Sequence, residues 1–227
     1  MKLVIKYGGS LLFDNDKINT DLIDRICDTI RELHEKGHEL GLVVGGGKTA
    51  RNYISSLNSN YGTANKDYVA VLATRLNAML FISRLSDISC PLPPNNFEDM
   101  VNYATSENII ISGGMQPGQS TNAVATLLCE AMGANVMINA TNVDYVYDKD
   151  PNKHKDANPI KSMDYKKLQG IIAGIESDAG RYDMFDMVAA KNIERSMITL
   201  HFINGNEPGN IQKIINGVSI GTRVSNE

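Results

Sequence analysis

Lys6 lies in an otherwise apolar stretch, with Val4, Ile5 and Tyr7 around it and Gly8-Gly9-Ser10 just beyond. A buried lysine without a counter-charge is costly, so it is expected at a strand's carboxyl edge, facing an anion or a carboxylate. The plainer alternative is a lysine on an edge strand that reaches out to solvent. The stretch "GLVVGGGKTA" (41–50) carries three competing phosphate-binding readings. A P-loop fails, because Gly41 stands one place too early for Gly47-Lys48-Thr49 and Leu42 occupies the required position. A Rossmann turn is spelled by Gly45, Gly47 and Ala50, but its acidic partner should end the next strand, and Asp67 begins a helical pattern instead. The third reading is a strand-to-helix glycine turn of some other kinase fold; the plain alternative is close packing of strand on helix.

A further Gly-Gly turn, "GGMQPGQST" (113–121), and a late helix, "FDMVAAKNIERS", bring Ser120, Thr121, Asp186 and Lys191 into consideration. Surface charge on an amphipathic helix is the simpler account of the last two. "HEKGH" (34–38) spells a zinc-protease signature, yet both histidines must share one helix face. Gly37 is expected to end that helix before His38, and no third ligand follows.

These residues need a scaffold. "KLVIKY" (2–7), "HELGLVV" (38–44), "NIIIS" (108–112), "NVMINAT" (135–141) and "ITLHFI" (198–203) read as strands, with a short final strand after them. Helices are expected from a Thr20 cap through Leu33, from Lys48, over 66–85, 97–104 and 122–132, and near 164–172, 186–195 and 208–216. "DKDPNKHKDANP" (148–159) reads as a polar loop. This alternation predicts an α/β fold: a mainly parallel sheet with helices on both faces, a three-layer α/β/α sandwich. Such sheets hold ligands at the carboxyl ends of their strands, where turns 8–10, 45–47, 113–121 and 141–150 fall. Several anion-binding turns on one edge imply more than one phosphate group.

Composition narrows the classes. The formal net charge of −4 and the scattered lysines and arginines give no electrostatic reason to bind nucleic acid or an anionic membrane. The apolar start "MKLVIKY" is too short for a signal peptide, and no run approaches a membrane span. Three widely spaced cysteines without C-x-x-C point to a reducing, cytoplasmic setting.

Taken together, Lys-x-Gly-Gly-Ser, V-V-G-G-G-K-x-A-R, a Gly-Gly turn with Ser-Thr, and T-N-V-D-x-V-Y-x-x-D-P resemble the amino acid kinase superfamily. "GGGKTARNYI", "DYVAVLATRLNAML", "GGMQPGQSTNAVA" and "TNVDYVYDKDPNK" are similar to its archaeal-type UMP kinase branch, in order, from residue 2 to about 223. By that resemblance 45–47 is the second strand's phosphate turn, and residues 1–227 form one amino acid kinase domain. Its first part, about 1–135, would hold the acceptor UMP; its second, about 136–227, would hold ATP. The resemblance implies UMP contacts from Gly46, Asp67, Gln116, Pro117, Gly118, Gln119, Ser120, Thr121 and Asn122. It implies ATP contacts from Gly9, Ser10, Gly47, Arg51, Thr141, Asn142, Tyr147 and Asp150, with Arg75 and Asn77 matching the family's "TRLNA" segment. Lys6, Asp186 and Lys191 would be catalytic. Mg²⁺ would be carried by the ATP phosphates with no protein metal site, and the assembly would be a homohexamer. Tyr145 stands where the family commonly has glycine, and Met187 where it often has proline.

The implied activity is ATP-dependent phosphorylation of UMP to UDP, a step of pyrimidine nucleotide biosynthesis. A UMP phosphate is mostly dianionic at neutral pH, so no general base is required. The obstacle is mutual repulsion of two anions, which Lys6, Arg51 and the turn amides would offset. Two alternatives stay open: a sibling kinase acting on a carboxylate or carbamate (acetylglutamate or carbamate), and a nucleotide-binding oligomer of this fold without catalysis.

Overall fold

The computed structural model describes residues 1–149, 154–176 and 185–226. β1 (Lys2–Tyr7) leads through a 3-10 turn (Gly9–Leu12) into a small hairpin, β2 (Phe13–Asp14) and β3 (Lys17–Ile18). There follow α1 (Thr20–Glu35), β4 (Glu39–Val44), α2 (Gly47–Ser56), α3 (Thr63–Ile82), α4 (Phe97–Tyr103), β5 (Ile110–Ser112), α5 (Thr121–Met132) and β6 (Val136–Thr141). The remainder is β7 (Val146–Tyr147), β8 (Pro159–Ile160), β9 (Ser162–Met163), α6 (Tyr165–Glu176), α7 (Met187–Arg195), β10 (Thr199–Asn204), α8 (Gly209–Ile215) and β11 (Thr222–Val224).

The central sheet has the order β5-β4-β1-β6-β10-β11-β9. Its pairs are parallel from β5 through β10, while β11 runs antiparallel to β10 and carries β9 beside it. β1 is therefore a central strand, in register with β4 (Lys6 opposite Val43) and β6 (Lys6 opposite Asn139). Lys6 does not reach solvent from an edge; it is 9 % exposed at the inner part of the sheet.

Strand alternation divides the core. Val4, Met137, Leu200 and Phe202 face α5, α6 and α7 on one side. Leu3, Ile5, Ile138 and Ile203 face α1, α3 and α8 on the other. The helix stripe of α1 (Ile23, Ile26, Ile30, Leu33) is fully buried against that second layer, at roughly 1.5–3 kcal/mol for each such side chain.

Several local expectations change. Asn19, not Thr20, caps α1: its side chain accepts the Leu22 N–H at 3.1 Å, and Thr20 is the first helical residue. Gly37 does end that region at φ +80°, which separates His38 from the helix carrying His34. The polar stretch 148–159 gives way at its end to β8, which pairs with β7. α3 is apolar on two sides. Val71, Ala78, Phe81 and Ile82 are buried, while Tyr68, Leu72 and Leu76 are 53 %, 49 % and 58 % exposed. That double character is why the sequence periodicity marks a helix without telling which side meets the sheet.

Candidate active site

Because β5, β4, β1 and β6 are sheet neighbours, the four turns at their carboxyl ends stand side by side. The Gly8 N–H donates to the Ala140 carbonyl and the Gly45 N–H to that of Tyr7, each at 3.0 Å, so the first two turns leave the sheet in contact. Their glycines then touch backbone to backbone. A Cβ on Gly9 would lie 2.1 Å from the Gly47 nitrogen, and one on Gly47 would lie 2.0 Å from the Gly9 oxygen. Gly47 also has φ +53° and opens α2. The outcome is a side-chain-free cradle at a helix N-terminus, with amides available to an anion.

α3 fixes the geometry of two turns from behind. The Asn77 amide donates to the Gly45 and Gly46 carbonyls at 2.9 and 3.0 Å, and its oxygen accepts from the Thr49 hydroxyl at 3.2 Å. One turn earlier, the Thr74 hydroxyl accepts the Gly114 N–H at 2.6 Å and donates to the Val71 carbonyl. Earlier still, the Asp67 carboxylate accepts the Gly118 N–H at 3.0 Å. Arg75, from the same helix, holds the carbonyls of Pro93 and Pro94 and the side chain of Asn95 at 2.7 to 3.0 Å. It thus anchors the proline-rich segment. Asn77→Ala is expected to strip the buried Gly45 carbonyl of this partner and leave the Gly46 carbonyl only the Ala50 N–H, destabilising the protein by about 1–3 kcal/mol. A wild-type denaturant midpoint in that variant would show that the turn holds itself.

Between α3 and the 113–121 turn opens a cleft of about 400 Å3. Gly46, Asp67, Gln116, Gly118, Gln119, Ser120 and Thr121, all expected around the acceptor, line it together with Gly47. Pro117 and Asn122 are not among the lining residues. Ala50, Ala70, Val71, Thr74 and Gly114 also line it, none of them among the expected nucleotide contacts. Their signal was available: 67, 70, 71 and 74 recur at one-face helical spacing from Asp67.

Ser120 caps α5, accepting the Ala123 N–H at 3.0 Å, and donates to Asp186. Asp186 in turn caps α7 by accepting the Ala189 N–H at 3.0 Å. One hydrogen bond therefore joins two helix N-termini. The Gln119 Oε1 is buried with no hydrogen-bond partner among the described residues, an acceptor left for an incoming N–H.

The other expected positions are more dispersed. Arg51 and Lys191 are exposed on α2 and α7. Ser10 is exposed in the 3-10 turn. The Thr141 hydroxyl donates to the Val143 carbonyl at 3.1 Å, Asn142 is exposed, and Asp150 lies outside the described residues. Tyr145, in the glycine position of the loop, stands edge-on to Tyr147 with ring centroids 6.5 Å apart. Burial, then the charges of Asp144 and Tyr145, hold the Tyr147 phenol above its ordinary range. Lys48 is held by the β2–β3 hairpin through Asp16 and the Asn15 carbonyl. Among the described residues, no group of three or more His, Cys, Asp or Glu is arranged to hold a metal ion. Nor is any helix among them long and apolar enough to cross a membrane.

A model of the amino acid kinase family matches residues 1–204. The uridylate kinase of Methanobrevibacter smithii is 38 % identical over 225 residues, spanning 99 % of this chain and 99 % of its own. That of Sulfurisphaera tokodaii is 41 % identical over 224 residues, spanning 98 % of each. The crystal structure of uridylate kinase from Archaeoglobus fulgidus superposes with a TM-score of 0.86 at 35 % identity, covering 99 % of this chain and 100 % of its own.

Proposed function

The chain belongs to the amino acid kinase family, and from that premise we propose that it transfers the γ-phosphoryl group of ATP to the phosphate of UMP, releasing ADP and UDP. The observation that carries this reading is the identity of 38 % and 41 % to uridylate kinases over nearly the whole of both chains. The cleft agrees with it: a carboxylate at Asp67 suits hydroxyl donors of a ribose, and the Gln119 oxygen suits the imide N–H of uracil.

In this reading Gly46, Asp67 and the 116–122 segment bind UMP, with Ser120 and Thr121 at the N-terminus of α5 nearest its phosphate. Gly9, Ser10, Gly47 and Arg51 meet the phosphates of ATP, and Thr141, Asn142, Tyr147 and Asp150 its adenosine. The glycine cradle suits a polyphosphate, since a Cβ at Gly9 or Gly47 would force apart the two turns whose backbones meet there at the start of α2. Mg²⁺ held by the ATP phosphates supplies further charge neutralisation when bound. Lys6 offsets repulsion between acceptor and donor phosphates as they approach in line. Asp186, joined to Ser120, sets the relation between α5 and α7, and Lys191, exposed on α7, is the residue assigned to the transferring or leaving phosphate.

A coupled assay of ADP release with UMP, CMP, dUMP, N-acetylglutamate and carbamate is the direct test. Turnover is expected with UMP; turnover with N-acetylglutamate or carbamate and none with UMP would overturn the assignment. Tight ATP binding with no transfer to any of them would mark a fold that has lost its chemistry.

The reading extends to a cytoplasmic homohexamer. Cys27, Cys90 and Cys129 are free and buried, as suits a reducing compartment. Tyr68, Leu72 and Leu76 give α3 an apolar outer stripe that a second subunit would cover. Leu76→Glu is expected to shift the protein to smaller species in analytical ultracentrifugation. An unchanged sedimentation coefficient would place the interface elsewhere.

A further inference from the structure

Away from the strand ends that hold the cleft, a cavity of about 340 Å3 opens between β10, β11, α8 and the turn that joins them. We propose that it is a second binding site, for a small molecule that carries a phosphate group. Its polar lining is Lys161, His201, Ser219 and Arg223, and its apolar walls are Ile214, Val218 and Ile220. No acidic side chain lines it, although the chain as a whole has a formal net charge of −4.

The backbone builds this arrangement. His201 and Arg223 are directly opposite each other in the antiparallel β10–β11 pair, so their side chains stand on one face of the sheet. The Arg223 N–H donates to the Lys161 carbonyl at 2.9 Å, which brings Lys161 beside them. The covering turn closes tightly because Gly221 has φ +69° and a Cβ there would lie 2.0 Å from the Phe202 oxygen. A larger residue would lift the turn off the strand and open the cavity.

The polar lining suits an anion. The His201 Nδ1 is buried with no hydrogen-bond partner among the described residues. Burial, then the positive charge of Arg223, push the imidazole down to about 4, so it is neutral at pH 7. Two cations lining one cavity with a neutral imidazole favour a compact oxyanion that can take a guanidinium fork and an ammonium together. The cavity's size and its isoleucine and valine walls leave room for an organic body behind the charged group. None of its lining residues belongs to the catalytic cleft or to the expected ATP contacts. The proposal therefore stands independently of the UMP assignment.

Four histidines make NMR of the imidazole nitrogens a selective readout. With inorganic phosphate and with glycerol 1-phosphate as separate probes, the His201 signals are expected to shift saturably and its pKa to rise by about a unit or more. Either probe saturating supports the shared phosphate chemistry, and tighter binding of glycerol 1-phosphate adds that the apolar walls are used. In K161Q/R223Q the affinity is expected to fall about tenfold or more, with UMP turnover unchanged, because neither residue touches the cleft. K161Q alone, expected to weaken the same shift, serves should the double variant fold poorly. Lys6→Ala is expected to leave the His201 response intact, which separates this site from phosphate bound at the strand ends. The proposal is overturned if His201 stays silent with both probes, if succinate or chloride shifts it equally, or if the variants bind as the wild type does.

Discussion

Lys6→Ala is expected to lower turnover by on the order of 10²-fold or more while UMP still binds. The argument begins with burial. Lys6 is 9 % exposed on a central strand, two residues from the Gly8-Gly9 turn, where a cation must be compensated. Its neighbours in register are Val43 and Asn139, one strand to either side, just before the 45–47 and 141–150 turns. A positive charge at that point lies between the carboxyl ends of the strands expected to hold donor and acceptor. Repulsion between their phosphates grows as the phosphoryl group moves, so a fixed cation stabilises the transition state more than either ground state. The loss should therefore appear in kcat, with KM for UMP and the calorimetric affinity for UMP little changed. Turnover within a few-fold of wild type would remove Lys6 from the mechanism. Lys6→Arg should rescue poorly, because a guanidinium is larger and planar where the buried strand leaves room for an ammonium.

Much of this arrangement was readable because it depends on short-range rules. Short apolar runs, three of them ending in a glycine turn, marked the five parallel strands, and their alternation with helices marked the layers on both faces. The turns at 8–10, 45–47 and 113–121 declared themselves through glycine, because only glycine can sit where two backbones meet. What the sequence could not convey were relations across long separations. The bond from Ser120 to Asp186 crosses 66 residues, and each partner alone reads as an ordinary helix cap. Asn77 and Thr74 look like unremarkable polar positions in an apolar helix until α3 lies against two turns 30 to 40 residues away. The antiparallel placement of β11, which creates the His201–Arg223 pair, has no local signature because β11 covers only Thr222–Val224. Propensity over so few residues is a weak guide to strand direction. Position in the fold also decides between the readings of Gly45, Gly47 and Ala50. Asp67 belongs to α3 and caps the 116–118 turn, so it cannot be the strand-end acid of a dinucleotide site.

Gly9→Ala tests whether the two glycine turns act as one cradle. The added carbon would lie 2.1 Å from the Gly47 nitrogen, 2.6 Å from the Gly45 carbonyl carbon and 2.7 Å from its oxygen. All three are backbone atoms, so no side chain can rotate away, and the turns must separate by about an ångström or more to admit a methyl group. That strain is expected to cost about 1–3 kcal/mol of stability, read as a lower denaturant midpoint. The kinetic effect should be larger than the stability effect. A displacement of about 1 Å in groups that position a reacting phosphate lowers rates by about 10²-fold. kcat/KM for ATP should therefore fall by roughly that factor in a preparation that remains folded. Gly170→Ala provides the control. Gly170 lies inside α6 with nothing near the position of a new Cβ, so the change should be neutral or stabilise by up to about 1 kcal/mol and leave kinetics untouched. Wild-type kinetics in Gly9→Ala would mean that the contact between the turns is incidental to phosphate binding. Equal losses in both variants would mean that the damage comes from folding and not from the cradle.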